Sequence, residues 1–304
     1  MNHLEHLLDI RSLDDRQLHS LLATAHRIKA DPDRYRNVCN GSLLVNLFFE
    51  PSTRTRFSFE IAARRLGLQV VNFSAATSSV NKGETLMDSF RVVQAMGPDI
   101  IVCRHPDIGA AAALANEALE SVHVINAGDG SHAHPSQALL DVMTLQEHFD
   151  DLSAIRVLIS GDLRHSRVTH SDVVAMRKLG VGEIRLASPV HLRPSAETAR
   201  ETVQFDDLDK ALDGVDVVMM LRIQNERLTE SEIPDQLAYH REWGLTQKRL
   251  RLARPDCLVM HPGPMNRGVE ITSEVADGPQ SVILEQVANG IYARMAILLA
   301  MTRY

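Results

Sequence analysis

The sequence predicts an α/β protein of two domains, each a parallel β-sheet flanked by helices. Three observations lead there. Short apolar runs of strand length alternate with longer segments of helical period along the chain. The 304 residues, 44% hydrophobic and 23% charged, are enough for two cores. The acidic pair Asp150-Asp151 divides the alternation into two series.

In the first series, Ser12 followed by Asp14 and Asp15 is a helix start, and Leu13 to Ala30 carries apolar residues at helical spacing. Leu43 to Phe49 is a buried strand. A helix from about Ser52 ends at Leu66-Gly67, where Gly67 can take the left-handed cap geometry. Gln69 to Phe73 is a strand, and the small, polar stretch Ala75 to Glu84 is a loop. A helix to Met96, strand Ile100 to Cys103, helix Ile108 to Leu119, strand Val122 to Asn126 and helix Pro135 to Phe149 follow. In the second series the strands are Ile155 to Ser160, Glu183 to Ala187, Val215 to Leu221 and Cys257 to His261. The helices are Arg167 to Leu179, stopped by Gly180, Leu237 to Arg251, and Ser281 to Arg303.

The formal net charge of -7 argues against general nucleic-acid binding, yet a local arginine cluster can still focus positive potential on a small anion. Cys39, Cys103 and Cys257 are too few and too scattered for a disulfide framework or a cysteine zinc site. The amino terminus lacks a basic-then-apolar leader pattern, and Ser281 to Met301, interrupted by Glu285, Gln286, Asn289 and Arg294, is too polar to span a bilayer. The expectation is a cytoplasmic protein with no membrane or nucleic-acid partner.

In parallel sheets, ligands bind beyond the carboxyl ends of strands, so the strand-to-helix junctions are the places to search. After Phe48-Phe49-Glu50, Pro51 turns the chain and a helix opens with Ser52-Thr53-Arg54-Thr55-Arg56. Free N–H groups at a helix start favour an anion. Ser52, Thr53 and Thr55 add short donors, and Arg54 adds a planar fork suited to phosphate. A capped helix with solvated arginines would explain a Ser-Thr pair alone; Arg54 and Thr55 together tip the reading to phosphate.

This stretch, followed by Ser58-Phe59-Glu60, resembles the carbamoyl phosphate signature of the aspartate/ornithine carbamoyltransferase superfamily, and the resemblance continues along nearly the whole chain. It implies a carbamoyl phosphate-binding domain over 1–149, completed by the C-terminal helix at about 281–304, and an aspartate-binding domain over 150–280. Ser78-Ser79-Val80-Asn81-Lys82-Gly83-Glu84-Thr85, by itself a surface loop, resembles the family loop that enters the neighbouring subunit's site. By that likeness Ser78 and Lys82 complete a site on another chain, Lys82 meets both the phosphate and an aspartate carboxylate, and the assembly is a homotrimer with shared active sites. Arg104, after the strand ending at Cys103, is implied as a ligand of the phosphate and the carbamoyl oxygen.

Asn126 to Ser131 leads to His134-Pro135-Ser136-Gln137. A histidine at a helix N-terminus is harder to protonate, and a neutral imidazole can donate one hydrogen bond to a carbonyl. His132 is the competing histidine; the family pattern, with its histidine directly before the proline, selects His134. Gln137, one turn later, is placed to hold the carbamoyl NH2. In the second series, Ser160 to Ser171 resembles the motif that supplies an arginine to the substrate α-carboxylate, here Arg167. His165-Ser166 departs from the aromatic and glycine that many relatives carry there, and His170 reads as a packing histidine.

Leu221 to Leu228 resembles the loop of the aspartate-accepting branch, with Arg222 and Gln224 on the side-chain carboxylate and amine region. The Ser-Met-Gly and His-Cys-Leu-Pro segments expected of an ornithine enzyme are absent. His261-Pro262-Gly263-Pro264 stands instead, and the backbone carbonyls around Gly263 and Pro264 are implied in carbamoyl phosphate binding. The implied reaction, carbamoyl transfer to the amine of L-aspartate within pyrimidine (UMP) biosynthesis, needs no metal and no cofactor. Its catalytic set is Arg54, Thr55, Lys82, Arg104 and His134. Two alternatives are weaker: an ornithine enzyme has no use for Arg222, and a non-catalytic homologue should have lost these anion ligands. Higher assembly with regulatory or dihydroorotase-type chains is left open.

Overall fold

The computed structural model describes residues 3–74, 85–224 and 235–302. The chain divides into two compact units, Met1–Met143 with Ala288–Tyr304, and Thr144–Val287.

The first unit opens with α1 (Asp15–Ala30), whose start is a capping box: the Asp14 carboxylate accepts from Gln17 N–H and the Gln17 side chain accepts from Asp14 N–H. Its apolar face buries Leu18, Leu21, Leu22, Ala25 and Ile28. β1 (Leu43–Phe48), α2 (Thr53–Leu66), β2 (Gln69–Ser74), α3 (Leu86–Ala95), β3 (Ile100–His105), α4 (Ala110–Asn116), β4 (His123–Asp129) and α5 (Pro135–His148) follow. The strands form one parallel sheet in the order β2-β1-β3-β4. Burial on both faces accounts for their apolar runs: all of β4, and all of β1 after Leu43, is buried.

The second unit contains β5 (Arg156–Ser160), α6 (Arg167–Lys178), β6 (Glu183–Ala187), α7 (Ala196–Ala199), β7 (Val203–Phe205), α8 (Leu208–Leu212), β8 (Val217–Met220), α9 (Gln236–Trp243), α10 (Gln247–Leu250), β9 (Leu258–Met260) and α11 (Ser273–Ala276). Its sheet is also parallel, ordered β7-β6-β5-β8-β9. Leu158, Val218, Met220, Val259, Tyr239 and Trp243 belong to its core. The last helix, α12, spans Ile283–Met301. The division between units falls inside α5 and α12.

The second unit differs from the sequence expectation in more than the short helices α7, α8 and α11, which that expectation did not include. β7 is an additional edge strand, too short and too exposed to carry an apolar period. The single helix expected over Leu237 to Arg251 is two. Gly244, where a Cβ would collide with His240, ends α9; Leu245 then runs extended, its N–H donating to Glu270 O at 2.9 Å, before Thr246 caps α10.

Gly67 does take the left-handed conformation, with φ +90°. Gly67 N–H donates to Arg64 O and Leu68 N–H to Ala63 O, while Asn37 and Cys39 N–H groups satisfy the carbonyls of Arg65 and Leu66. A Cβ on Gly67 would lie 2.8 Å from Asn37 Cα. Gly97, with φ +79°, has nothing within 4 Å of such an atom. Gly67→Ala is therefore expected to cost about 2–3 kcal/mol and Gly97→Ala about 1 kcal/mol, compared by urea denaturation midpoints.

Candidate active site

Parallel pairing brings the carboxyl ends of the first sheet to one edge. Phe48 pairs in register with Arg104 and Cys103 with Asn126, so the chain leaves β1, β3 and β4 side by side. α2 starts there at Ser52, whose side chain makes no capping bond. The first turn of α2 carries no acidic residue. Thr53 and Arg54 are exposed, and Thr55 is buried. This is a helix N-terminus with its charge preference for an anion intact, backed by Arg54.

Arg104 is fixed from both sides. Its Nη1 donates to Ala127 O at 3.2 Å, and its Nε lies 3.1 Å from Glu50 Oε2. A guanidinium so held keeps its orientation without spending rotamer freedom on a ligand.

The turn after β4 is organised by Asp129. Its carboxylate accepts from Asn126 Nδ2 at 2.8 Å, Gly109 N–H at 2.8 Å and Ala133 N–H at 3.1 Å, and lies 3.1 Å from His132 Nδ1. Burial pushes the Asp129 carboxyl up, but these hydrogen bonds, led by His132, outweigh it and leave the group below its ordinary range. His132 is committed to this hub, and its Nε2 lies 3.5 Å from Asp9. His134 is buried at the start of α5; its carbonyl accepts from Gln137 N–H at 3.0 Å. Gln137 Nε2 donates to both Asp141 carboxylate oxygens, at 3.1 and 3.2 Å.

The second unit repeats the arrangement. Gly161, at the end of β5, has φ +136°, and a Cβ there would strike the Leu221 carbonyl. This close approach lets the chain leaving β8 lie against the chain leaving β5. Asp162, fully buried, ties them: it accepts from His165 N–H at 3.1 Å, lies 3.0 Å from His165 Nδ1, and accepts from Gln224 N–H at 3.4 Å. Gln224 Nε2 donates to His165 O at 3.0 Å. Arg167 is the first residue of α6, after the Ser166 cap, and is buried. Arg222 is half-buried, with Nη1 3.5 Å from Ile223 O. Both arginines thus stand at this sheet's carboxyl edge, a donor set suited to a dicarboxylate.

The Gly263-Pro264 peptide bond is cis and follows β9. Beneath it, buried His261 accepts Gly263 N–H at Nδ1, 2.8 Å, which requires the proton on Nε2; that atom meets Glu270 Oε1 at 3.1 Å. Glu270 Oε1 also accepts Asn266 N–H at 2.6 Å. The backbone of this loop is held through the N–H groups of Gly263 and Asn266 by a buried His-Glu pair.

Of the residues singled out from sequence, Ser52, Thr53, Arg54, Thr55, Arg104, His134 and Gln137 gather at the first sheet's carboxyl edge. Arg167, Arg222, Gln224, Gly263 and Pro264 gather at the second's. Ser78 and Lys82 lie outside the described residues. Sequence reasoning passed over Asp129, Asp162 and Glu270, which hold the loops. The first two each follow a glycine at a strand end, and that pairing is the signal that could have found them. Among the described residues, no group of three or more His, Cys, Asp or Glu side chains is disposed to hold a metal ion, and no helix is long and apolar enough to cross a membrane.

The His132 pKa is raised, first by its hydrogen bond to Asp129, against burial, with the charges of Asp129 and Asp9 adding to it. The stabilisation is fully present below the unfolded value of about 6.5 and is lost as pH rises through the higher folded value. His132→Ala should therefore lower the melting temperature more at pH 5.5 to 6 than at pH 8.5 to 9. Equal losses across that range would show that His132 is held without its charge.

Comparison with known proteins agrees with this geometry. Residues 5–147 match the family model for the carbamoyl-P binding domain of aspartate/ornithine carbamoyltransferases, and residues 153–301 match the model for their Asp/Orn binding domain. The aspartate carbamoyltransferase catalytic subunit of Stenotrophomonas maltophilia is 52% identical over 300 residues, covering 97% of this chain and 95% of that one. That of Xanthomonas euvesicatoria is 51% identical over 299 residues, with the same coverage. The crystal structure of Trypanosoma cruzi aspartate transcarbamoylase in complex with carbamoyl aspartate and phosphate superposes with a TM-score of 0.88 at 29% identity, covering 98% of this chain and 96% of that one. Ornithine carbamoyltransferase from Thermus thermophilus gives 0.87 at 27% identity, covering 99% of each. The chain belongs to the aspartate/ornithine carbamoyltransferase family.

Proposed function

We propose that the chain transfers the carbamoyl group of carbamoyl phosphate to L-aspartate, giving N-carbamoyl-L-aspartate and phosphate. The observation that carries the choice of acceptor is the loop after β8. Arg222 there provides a second cation besides Arg167, and Gln224 is clamped to the β5 loop through Asp162 and His165. A dicarboxylate amine uses two arginines; a δ-amine substrate gains nothing from Arg222. The relatives that are about half identical to this chain carry the aspartate name, which supports the same choice.

In this reading the first unit binds carbamoyl phosphate. Ser52, Thr53, Arg54 and Thr55 take the phosphate at the α2 N-terminus, with Arg104. Thr55, Arg104 and His134 donate to the carbamoyl oxygen, Gln137 accepts from the carbamoyl NH2, and the carbonyls at Gly263 and Pro264 complete the contacts. Arg167 takes the α-carboxylate of aspartate, and Arg222 and Gln224 its side-chain carboxylate and amine region. The amine attacks the carbamoyl carbon, negative charge grows on the carbonyl oxygen, and each donor aimed at it is worth roughly 3–4 kcal/mol. The C–O bond to phosphate then breaks, and the departing phosphate takes the proton from the amine. The cations offset the repulsion between two anionic substrates.

Ser78 and Lys82, acting on a neighbouring chain's site, make the working unit a homotrimer. Exposed apolar residues on α2 (Phe57, Ile61), on β2 (Val71) and on α3 and its C-cap (Val92, Met96) support a face that a second copy covers, since β2 is an edge strand. A cytoplasmic enzyme supplying pyrimidine (UMP) synthesis fits this chemistry, and regulatory or dihydroorotase-type chains are partners such a trimer could take.

Arg54→Ala is expected to lower kcat by at least about 100-fold while leaving the unfolding midpoint unchanged. Near-normal turnover would remove the phosphate assignment. Mixing inactive Arg54→Ala and Lys82→Ala subunits should restore partial activity through sites that draw one intact residue from each chain. No recovery after demonstrated subunit exchange contradicts the shared site.

A further inference from the structure

Gln137 presents a choice that its neighbours settle. Its side-chain amide has a donor end and an acceptor end of nearly equal shape. Nε2 lies 3.1 and 3.2 Å from the two oxygens of Asp141, one helical turn further along α5. A carboxylate only accepts, so the NH2 end turns to Asp141 and Oε1 turns away. Asp141 is fully buried, and a buried carboxylate is costly without a compensating charge.

Arg294 on α12 is a buried cation whose charged form Asp141 favours. It is 3% exposed, stacked with Cζ 5.1 Å from the Phe59 ring centroid, and anchored through Nη1 to Gly290 O at 2.9 Å. Burial lowers its pKa to about 10, and Asp141 acts in the opposite direction, so it stays cationic at neutral pH. Gly290 keeps the space: a Cβ there would lie 2.5 Å from Arg294 Nη1 and 3.2 Å from Leu140 Cδ2. Phe59 is on α2, the helix whose first turn carries Ser52 to Thr55. One buried cation therefore packs against the phosphate helix.

We propose that buried Asp141 is a positioning residue that selects carbamoyl phosphate by fixing Gln137 with Oε1, an acceptor, toward the carbamoyl NH2. This rests on the carbamoyl phosphate reading of Gln137. With the amide reversed, Gln137 would present NH2 to NH2, and the site would no longer distinguish a carbamoyl group from an acetyl group.

The test is calorimetric binding of carbamoyl phosphate, acetyl phosphate and inorganic phosphate to the assembled enzyme. Asp141→Asn, isosteric but able to donate to Oε1, should weaken carbamoyl phosphate by about 10- to 100-fold and change the other two ligands by no more than about twofold. Gln137→Glu combined with Asp141→Asn should regain the preference for carbamoyl over acetyl phosphate, because a carboxylate at 137 accepts whichever way the new amide turns. The double variant also answers the question if Asp141→Asn alone is too unstable to purify. Equal weakening of all three ligands, or an unchanged preference in Asp141→Asn, overturns the proposal. Gln137→Ala separates the two levels. If it keeps the preference, the reading of Gln137 itself is wrong. If it loses the preference while Asp141→Asn keeps it, only the positioning role fails.

Discussion

Parallel strand pairing is the constraint on which the rest of this structure depends. In a parallel sheet every strand leaves at the same edge, and every following helix presents its N–H groups there. The register Phe48 to Arg104 and Cys103 to Asn126 brings residues from about 52, 104 and 134 to one line, though some 80 positions separate them in the chain. The same geometry collects Arg167, Arg222 and the Gly263-Pro264 loop in the second unit. Antiparallel pairing would have sent alternate loops to opposite edges.

Anion chemistry in a protein of net charge -7 depends on a division of labour among its charges. Arginines stand at the sheet edges, and carboxylates sit behind them as organisers. Asp129 gathers four donors, from Gly109 after β3, from Asn126 in β4 and from His132 and Ala133 in the turn that follows, Asp162 joins the loops after β5 and β8, and Glu270 holds His261 and the cis loop. Each is buried and hydrogen-bonded, the condition under which a buried carboxylate is tolerated. Glu50 extends the pattern by orienting Arg104. Glu50 fixes Arg104 before any ligand arrives, so binding energy is not spent on ordering that cation.

Much of this was legible in the sequence because it is local. Apolar runs marked β1, β3, β4, β5 and β8; Gly67 marked a helix end; a Ser-Thr-Arg-Thr helix start marked the candidate anion site. What stayed hidden is non-local. Gly244 breaks a helical period because Leu245 pairs with Ile271, more than twenty residues away, and no window around 244 contains that partner. β7 has only three residues, so the apolar pair Val203 and Phe205 is too short to stand out as an alternation. Asp129 and Asp162 look like loop aspartates until their donors, up to 62 residues distant, are seen. His132 and His134 were separable by family pattern alone; the structure shows His132 engaged by Asp129, a contact no local sequence signal announced.

The central claim is that this chain carbamoylates aspartate, with acceptor choice set by Arg222 and Gln224. Carbamoyl transfer by the purified protein, with carbamoyl phosphate and either L-aspartate or L-ornithine, tests it most directly. The account predicts N-carbamoyl-L-aspartate from aspartate and no product from ornithine. Citrulline from ornithine would contradict the acceptor assignment while leaving the phosphate site standing, and no product from either substrate would contradict the account as a whole.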